Sequence, residues 1–133
     1  MGAPMAGHLV DAGYKIITKT HNSPIPSELQ NKGVKAVDSL SQAASEADII
    51  ITMLPNTPQV ESVLFGKGGI AEGLSTGKVV IDMSSISPIE TKAFAERIEA
   101  LGCNYIDAPV SDGEVGAKNA TLSIMCGGKE SVF

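Results

Sequence analysis

Short apolar runs recur along the sequence, and helical patterns fill most of the intervals between them. The runs are YKIIT (14–18), VKAV (34–37), DIIITMLP (48–55), KVVIDMSS (78–85), NYIDAPVS (104–111) and TLSIMCGG (121–128). Several are continuous in apolar residues rather than alternating. Strands of a parallel sheet covered on both faces have this pattern, because neither side of the strand meets water. Between them, SPIETKAFAERIEALG (87–102) reads as a helix. Ser87 caps it, Pro88 fits its first turn, and Glu90 completes a capping box. Ile89, Ala93, Phe94, Ile98 and Leu101 form the predicted apolar stripe, and Gly102 ends it. SLSQAASEA (39–47) begins with Ser39 and Gln42 in the same roles, and TPQVESVLFG (57–66) with Thr57 as cap and Pro58 behind it. Each helix leads into a strand, so the chain predicts βαβ units of an α/β fold with right-handed crossovers.

Composition narrows what such a sheet serves. The 133 residues allow one ordinary domain, and 43 % apolar residues with mean hydropathy +0.13 allow it a core. The net charge is −5, and Arg97 is the sole arginine. Binding to nucleic acid or to an anionic membrane requires a basic face that this balance does not provide. No apolar run approaches a membrane span, and no charged leader precedes one. Cys103 and Cys126 stand 23 residues apart without a neighbouring histidine, which points to reduced thiols in the cytoplasm and no metal site. Cys126 is expected in the core, since cysteine buries readily.

In open parallel sheets ligands bind beyond the carboxyl ends of the strands. The residues there are Lys19 to Asn22, Leu54 to Thr57, Met83 to Ser85, and Ala108 to Lys118. They are rich in Ser, Thr, Asn, Gly and Pro. They are poor in histidines and in carboxylates suited to acid–base work. Such loops hydrogen-bond a polar ligand and leave reactive chemistry to a cofactor.

Four stretches, in order and in register, resemble the β-hydroxyacid dehydrogenase family. MGAPMAGHL resembles the tail of its N-terminal fingerprint, G-L-G-x-M-G-x-P-M-A-x-N-L. IITMLPNTPQVESVLFG resembles the loop after its fourth strand, and VVIDMSSISP the next strand and turn. DAPVSDGEVGAKNATLSIMCGG resembles its substrate-binding segment, D-A-P-V-S-G-G. The family includes 3-hydroxyisobutyrate dehydrogenases and tartronate semialdehyde (2-hydroxy-3-oxopropionate) reductases, and the wording is nearest the latter branch. The resemblance implies a Rossmann-like, doubly wound, mainly parallel sheet over residues 1–133. It implies that the family's first strand lies ahead of Met1. It also implies that a helical, dimerising domain carrying the catalytic lysine lies beyond Phe133. It implies a nicotinamide cofactor, a small carboxylic acid substrate interconverted with its semialdehyde, and a homo-oligomer.

The resemblance also assigns residues. Met1 and Gly2 match the end of the dinucleotide fingerprint, where glycine lets helix and strand approach closely and the helix N-terminus faces pyrophosphate. Leu54, Pro55 and Ser85 match positions near the nicotinamide and its ribose. Ser111 matches the serine that holds the substrate carboxylate and hydroxyl, with the amides of Asp112 and Gly113 beside it. Asp112 replaces a family glycine, and its charge opposes a carboxylate. Thr20, His21 and Asn22 follow the strand at 14–18, where an acid would bind the ribose 2′-hydroxyl of NAD. No acid stands there, which favours NADP over NAD. On the residues alone, these positions equally fit a glycine after an initiator, a solvated turn, a strand ending at proline and a turn hydroxyl. His8, where the family has asparagine, reads as structural. Two other readings stay open: an inactive dinucleotide-binding or association module, and a 6-phosphogluconate dehydrogenase-like enzyme. The second needs more basic residues than Arg97 alone provides.

Overall fold

A computed structural model describes residues 1–20 and 24–133. The chain runs α1 (Gly2–Asp11), β1 (Ile17–Thr18), α2 (Ser27–Asn31), β2 (Lys35–Ala36), α3 (Leu40–Glu46) and β3 (Ile49–Thr52). It continues with α4 (Thr57–Phe65), a 3-10 turn at Ile70–Gly73, β4 (Val79–Asp82), α5 (Pro88–Glu99) and β5 (Asn104–Asp107). Last come β6 (Val110–Ser111), α6 (Gly113–Asn119) and β7 (Ser123–Ile124). Strands β3, β4 and β5 form a parallel sheet in that order, and β1 pairs in parallel with β2. Among the described residues, β1 and β3 each have one strand neighbour, so the parallel strands fall into two groups.

The expected alternation is present, and the helix starts show why. The Ser39 hydroxyl accepts the Gln42 amide at 3.1 Å, and the Ser87 hydroxyl accepts that of Glu90 at 3.5 Å. The cap of α4 is Asn56, not Thr57. Its side chain accepts the Gln59 amide at 3.2 Å, while the Thr57 hydroxyl instead accepts the Ser87 amide. The face of α5 also differs from expectation. Thr91, Phe94 and Ile98 are buried, whereas Ile89, Ala93 and Leu101 are exposed. The buried side of α5 is thus the narrow Thr91–Phe94–Ile98 line, which meets the three-stranded sheet.

One face of the sheet carries the main core. Val60 and Leu64 of α4, Val80 of β4, and Phe94 and Ile98 of α5 are all buried to 1 % exposure or less. Ala44, Ile50 and Tyr105 complete its centre. The other face bears a smaller cluster of Met83, Ile106 and Ala108, joined by Met5, Met53, Val79, Ile81, Val110 and Val132. No helix among the described residues is long and apolar enough to cross a membrane.

The run at 121–128 is not a parallel strand. Its residues 123–124 pair antiparallel with β6, and Gly127 bridges Asp107 antiparallel. The chain has returned on itself through α6, a helix that the pattern of small and polar residues at 113–119 does not announce. Cys103 is buried as expected, but Cys126 is exposed, because this short ribbon turns it outward.

Candidate dinucleotide and substrate site

The parallel register aligns the last residues of the three central strands. Thr52 pairs with Asp82, and Asp82 with Asp107. The loops that follow therefore leave the sheet along one edge. Met5, one turn into α1, shares an apolar cluster with Met53, Met83, Ala108 and Val110. Met5, Met53 and Met83 come one from each of the first three stretches that carry the family resemblance, and Ala108 and Val110 from the fourth. The cluster thus brings the start of α1 to the loops after β3, β4 and β5.

The edge is tied together by hydrogen bonds. Asp82 is fully buried, and its carboxylate accepts from the Thr52 hydroxyl at 2.8 Å, the Ser84 amide at 3.1 Å and the Tyr105 hydroxyl at 3.4 Å. Burial, then the Asp82 and Asp107 charges, push the Tyr105 hydroxyl far above its ordinary range. Burial, then the charge of Asp82, also raises the Asp107 carboxyl. The Ser84 hydroxyl accepts the Leu54 amide at 2.8 Å. Leu54 is half-buried against the main core, whereas Pro55 and Ser85 are exposed at the edge. Sequence reasoning singled out Ser85 and passed over its neighbour Ser84, the buried hydroxyl that holds the loop.

Helix α1 begins without a side-chain cap at Met1 and without an acid in its first turn. A Cβ built on Gly2 would meet nothing within 4 Å, so glycine there is not required by packing within this chain. A Cβ built on Gly7 would lie 3.6 Å from a Leu29 methyl of α2, an ordinary packing contact. The absence of an acid from the first turn fits a pyrophosphate, since the helix dipole favours an anion there. Thr20 is half-buried just beyond β1, while His21 and Asn22 lie outside the described residues.

Ser111 ends β6 and is exposed, as are Asp112 and Gly113. Both of the latter have positive φ, 83° and 57°, which turns the chain sharply into α6. The Asp112 carboxylate does not cap α6 but accepts from the Ser123 hydroxyl at 3.2 Å. His8 has a further position in this frame. Its Nε2 lies 2.9 Å from the carbonyl oxygens of Ala117 and Lys118, where it donates to the last turn of α6. The helix carrying Gly2 is thereby fastened to the helix that follows Ser111. Arg97 stands apart from these loops, with its guanidinium stacked 3.6 Å above the Phe65 ring. No metal-binding cluster occurs among the described residues.

The family model for the NAD binding domain of 6-phosphogluconate dehydrogenase matches residues 1–133. The chain is 50 % identical over 133 residues to 2-hydroxy-3-oxopropionate reductase of Escherichia coli K12, covering 100 % of this chain and 45 % of that protein. It is 40 % identical over 128 residues to 3-sulfolactaldehyde reductase of the same organism, covering 96 % of this chain and 43 % of that protein. Among solved structures, Mycobacterium tuberculosis 3-hydroxyisobutyrate dehydrogenase with L-serine superposes with a TM-score of 0.88 at 36 % identity. That match covers 98 % of this chain and 44 % of the other. The chain therefore spans less than half the length of these relatives, which agree with the resemblance read from its four stretches. On the match along its whole length, the chain belongs to the family of NAD binding domains described for 6-phosphogluconate dehydrogenase.

Proposed function

We propose that this chain is the NAD(P)-binding part of an oxidoreductase that interconverts a 3-hydroxy acid and its semialdehyde. The observation that carries the reading is the meeting of four sequence stretches around Met5, Met53, Met83 and Ala108 at the carboxyl edge of the sheet. The names of these two reductases support the same substrate class.

In this reading Met1 and Gly2 open α1 to the pyrophosphate. Leu54, Pro55 and Ser85 lie along the nicotinamide and its ribose. Ser111 and the amides of Asp112 and Gly113 hold the substrate carboxylate, with their turn braced by His8 through α6. Nicotinamide, when bound, supplies or accepts the hydride. A lysine outside this chain exchanges the hydroxyl proton. Thr20, His21 and Asn22 offer no acid, and that supports NADP over NAD.

Asp112 is compatible with a carboxylate ligand because it is exposed and bonded to Ser123. Two unit charges ~4 Å apart repel by about 4 kcal/mol at an effective dielectric of ~20, but by about 1 kcal/mol in water. The smaller figure applies to a side chain in solvent.

The test is turnover by the intact protein bearing this chain. Tartronate semialdehyde, 3-hydroxyisobutyrate and related acids are assayed with each nicotinamide cofactor. The reading predicts saturable turnover of at least one acid–semialdehyde pair, and absence of turnover with both cofactors contradicts it.

A further inference from the structure

The buried carboxylate of Asp82 forms no ion pair among the described residues and belongs to no surface. A carboxylate is expensive to bury without a cation, and three donors are what makes it tolerable here. Those donors come from three adjacent strands or their ends: Thr52 on β3, the Ser84 amide just after β4, and Tyr105 on β5. Ser84 is itself 1 % exposed and spends its hydroxyl on the Leu54 amide. One continuous chain of hydrogen bonds therefore runs from β5 through Asp82 and Ser84 to the loop after β3. Leu54 lies in a segment with no ladder partner for its amide. Without Ser84 that amide loses its only hydrogen-bonding partner among the described residues.

We propose that Asp82 and Ser84 are positioning residues, which lock the Leu54–Pro55 loop against the Ser85 loop and so set affinity for the nicotinamide half of the dinucleotide. The inference rests on the functional reading above. A network fully satisfied inside a low-dielectric interior holds its members more rigidly than separate bonds would. Its output here is local: the sheet is already fixed by its ladder and core, while at the loop after β3 the Ser84 hydroxyl fixes the Leu54 backbone, beside the packing of the Leu54 side chain and the Thr57–Ser87 hydrogen bond.

The test uses Ser84→Ala, with Ser84→Thr to restore the hydroxyl and Asp82→Asn to alter the hub while preserving its shape. Dissociation constants are measured for NADPH, NADH and ADP, and amide hydrogen exchange is followed by NMR. For Ser84→Ala we expect the NADPH or NADH constant to rise roughly five- to tenfold, as loss of about one hydrogen bond implies. ADP, which lacks the nicotinamide half, should bind as to the wild type. Exchange at the Leu54 amide should quicken while Val80 and Ile81 stay protected. Ser84→Thr should bind more tightly than Ser84→Ala, and Asp82→Asn should shift the same half-selectively. Unchanged NAD(P)H binding in Ser84→Ala overturns the inference while leaving the functional reading standing. Equal losses for ADP and NAD(P)H overturn it as well, since they mark a general structural defect. If the wild type binds none of the three nucleotides, the functional reading falls and the inference with it.

Discussion

Ala120 is the residue whose replacement should most cleanly raise stability. It sits at φ 56°, ψ 39°, in the left-handed region, immediately after α6. The Thr121 amide reaches back to the Gly116 carbonyl at 2.9 Å and the Ala120 amide to the Ala117 carbonyl at 3.4 Å. These are the two bonds of a Schellman ending, whose left-handed position glycine usually fills. A residue with a Cβ in that conformation costs about 1–2 kcal/mol, whereas glycine adopts it freely. Glycine also loosens the unfolded chain, which takes back about 0.4–1 kcal/mol. The difference predicts that Ala120→Gly stabilises the fold by about 0.5–1 kcal/mol, equivalent to roughly 2–4 °C in Tm for a chain of this size. Urea melts of the two proteins, run in parallel with thermal melts, measure it. The midpoint should rise with the slope m unchanged. A neutral or destabilising Ala120→Gly would refute the conformational argument and would mean that the alanine methyl contributes packing that outweighs the strain.

Three further outcomes follow from the structure. At Gly73 a Cβ would lie 1.9 Å from the Ser41 carbonyl oxygen, a backbone atom that cannot step aside. Gly73→Ala should therefore destabilise by about 3 kcal/mol or more, seen as a large drop in denaturation midpoint. The Asp107 carboxyl is raised by burial and by Asp82, so its ionised form is disfavoured in the folded state. That penalty operates at neutral pH and vanishes as pH falls through the raised folded pKa to the ordinary carboxylate range. Asp107→Asn should thus be more stable than wild type at pH 7, with the gap closing towards pH 4 in paired urea melts. Asp112→Asn in the intact protein should tighten binding of a small hydroxy acid by roughly fivefold at low salt, the equivalent of about 1 kcal/mol. The gain should shrink in 0.5 M salt, and an unchanged affinity would place the substrate carboxylate away from this turn.

What the residues disclosed in advance follows from how strongly each local pattern constrains the backbone. The runs at 49–52 and 79–82 are legible because a β-branched stretch after a helix has few other places to go, and the run at 104–107 because it follows a capped helix that ends before Gly102. Edges were harder. The run at 14–18 yields a strand only at Ile17–Thr18, and Tyr14 is 64 % exposed. Helix α6 lacks an apolar stripe because its buried side is made of Gly116 and Ala117, and small residues carry no periodic signal. The same gap hid the reversal that makes β7 antiparallel and turns Cys126 to solvent. Resemblance located the loops of the candidate site but not their internal wiring. Ser84 and Ser85 are adjacent hydroxyls, and Ser84 is the one turned inward, where it meets the backbone amide of Leu54, a group distant in sequence that no residue pattern displays. His8 likewise shows its part only once α6 exists to receive it.

The most direct measurement is an NMR titration of the ¹⁵N-labelled protein with NADP⁺ and, separately, NAD⁺. A dinucleotide seated at the carboxyl edge of the sheet should shift the amides of Gly2, Thr20, Leu54 and Ser85 saturably. NADP⁺ should saturate them at the lower concentration, and Arg97, stacked on Phe65, should stay unmoved. Shifts absent at millimolar nucleotide, or clustered around Phe65 and Arg97 instead of the strand ends, would contradict the assignment of this edge as the cofactor site.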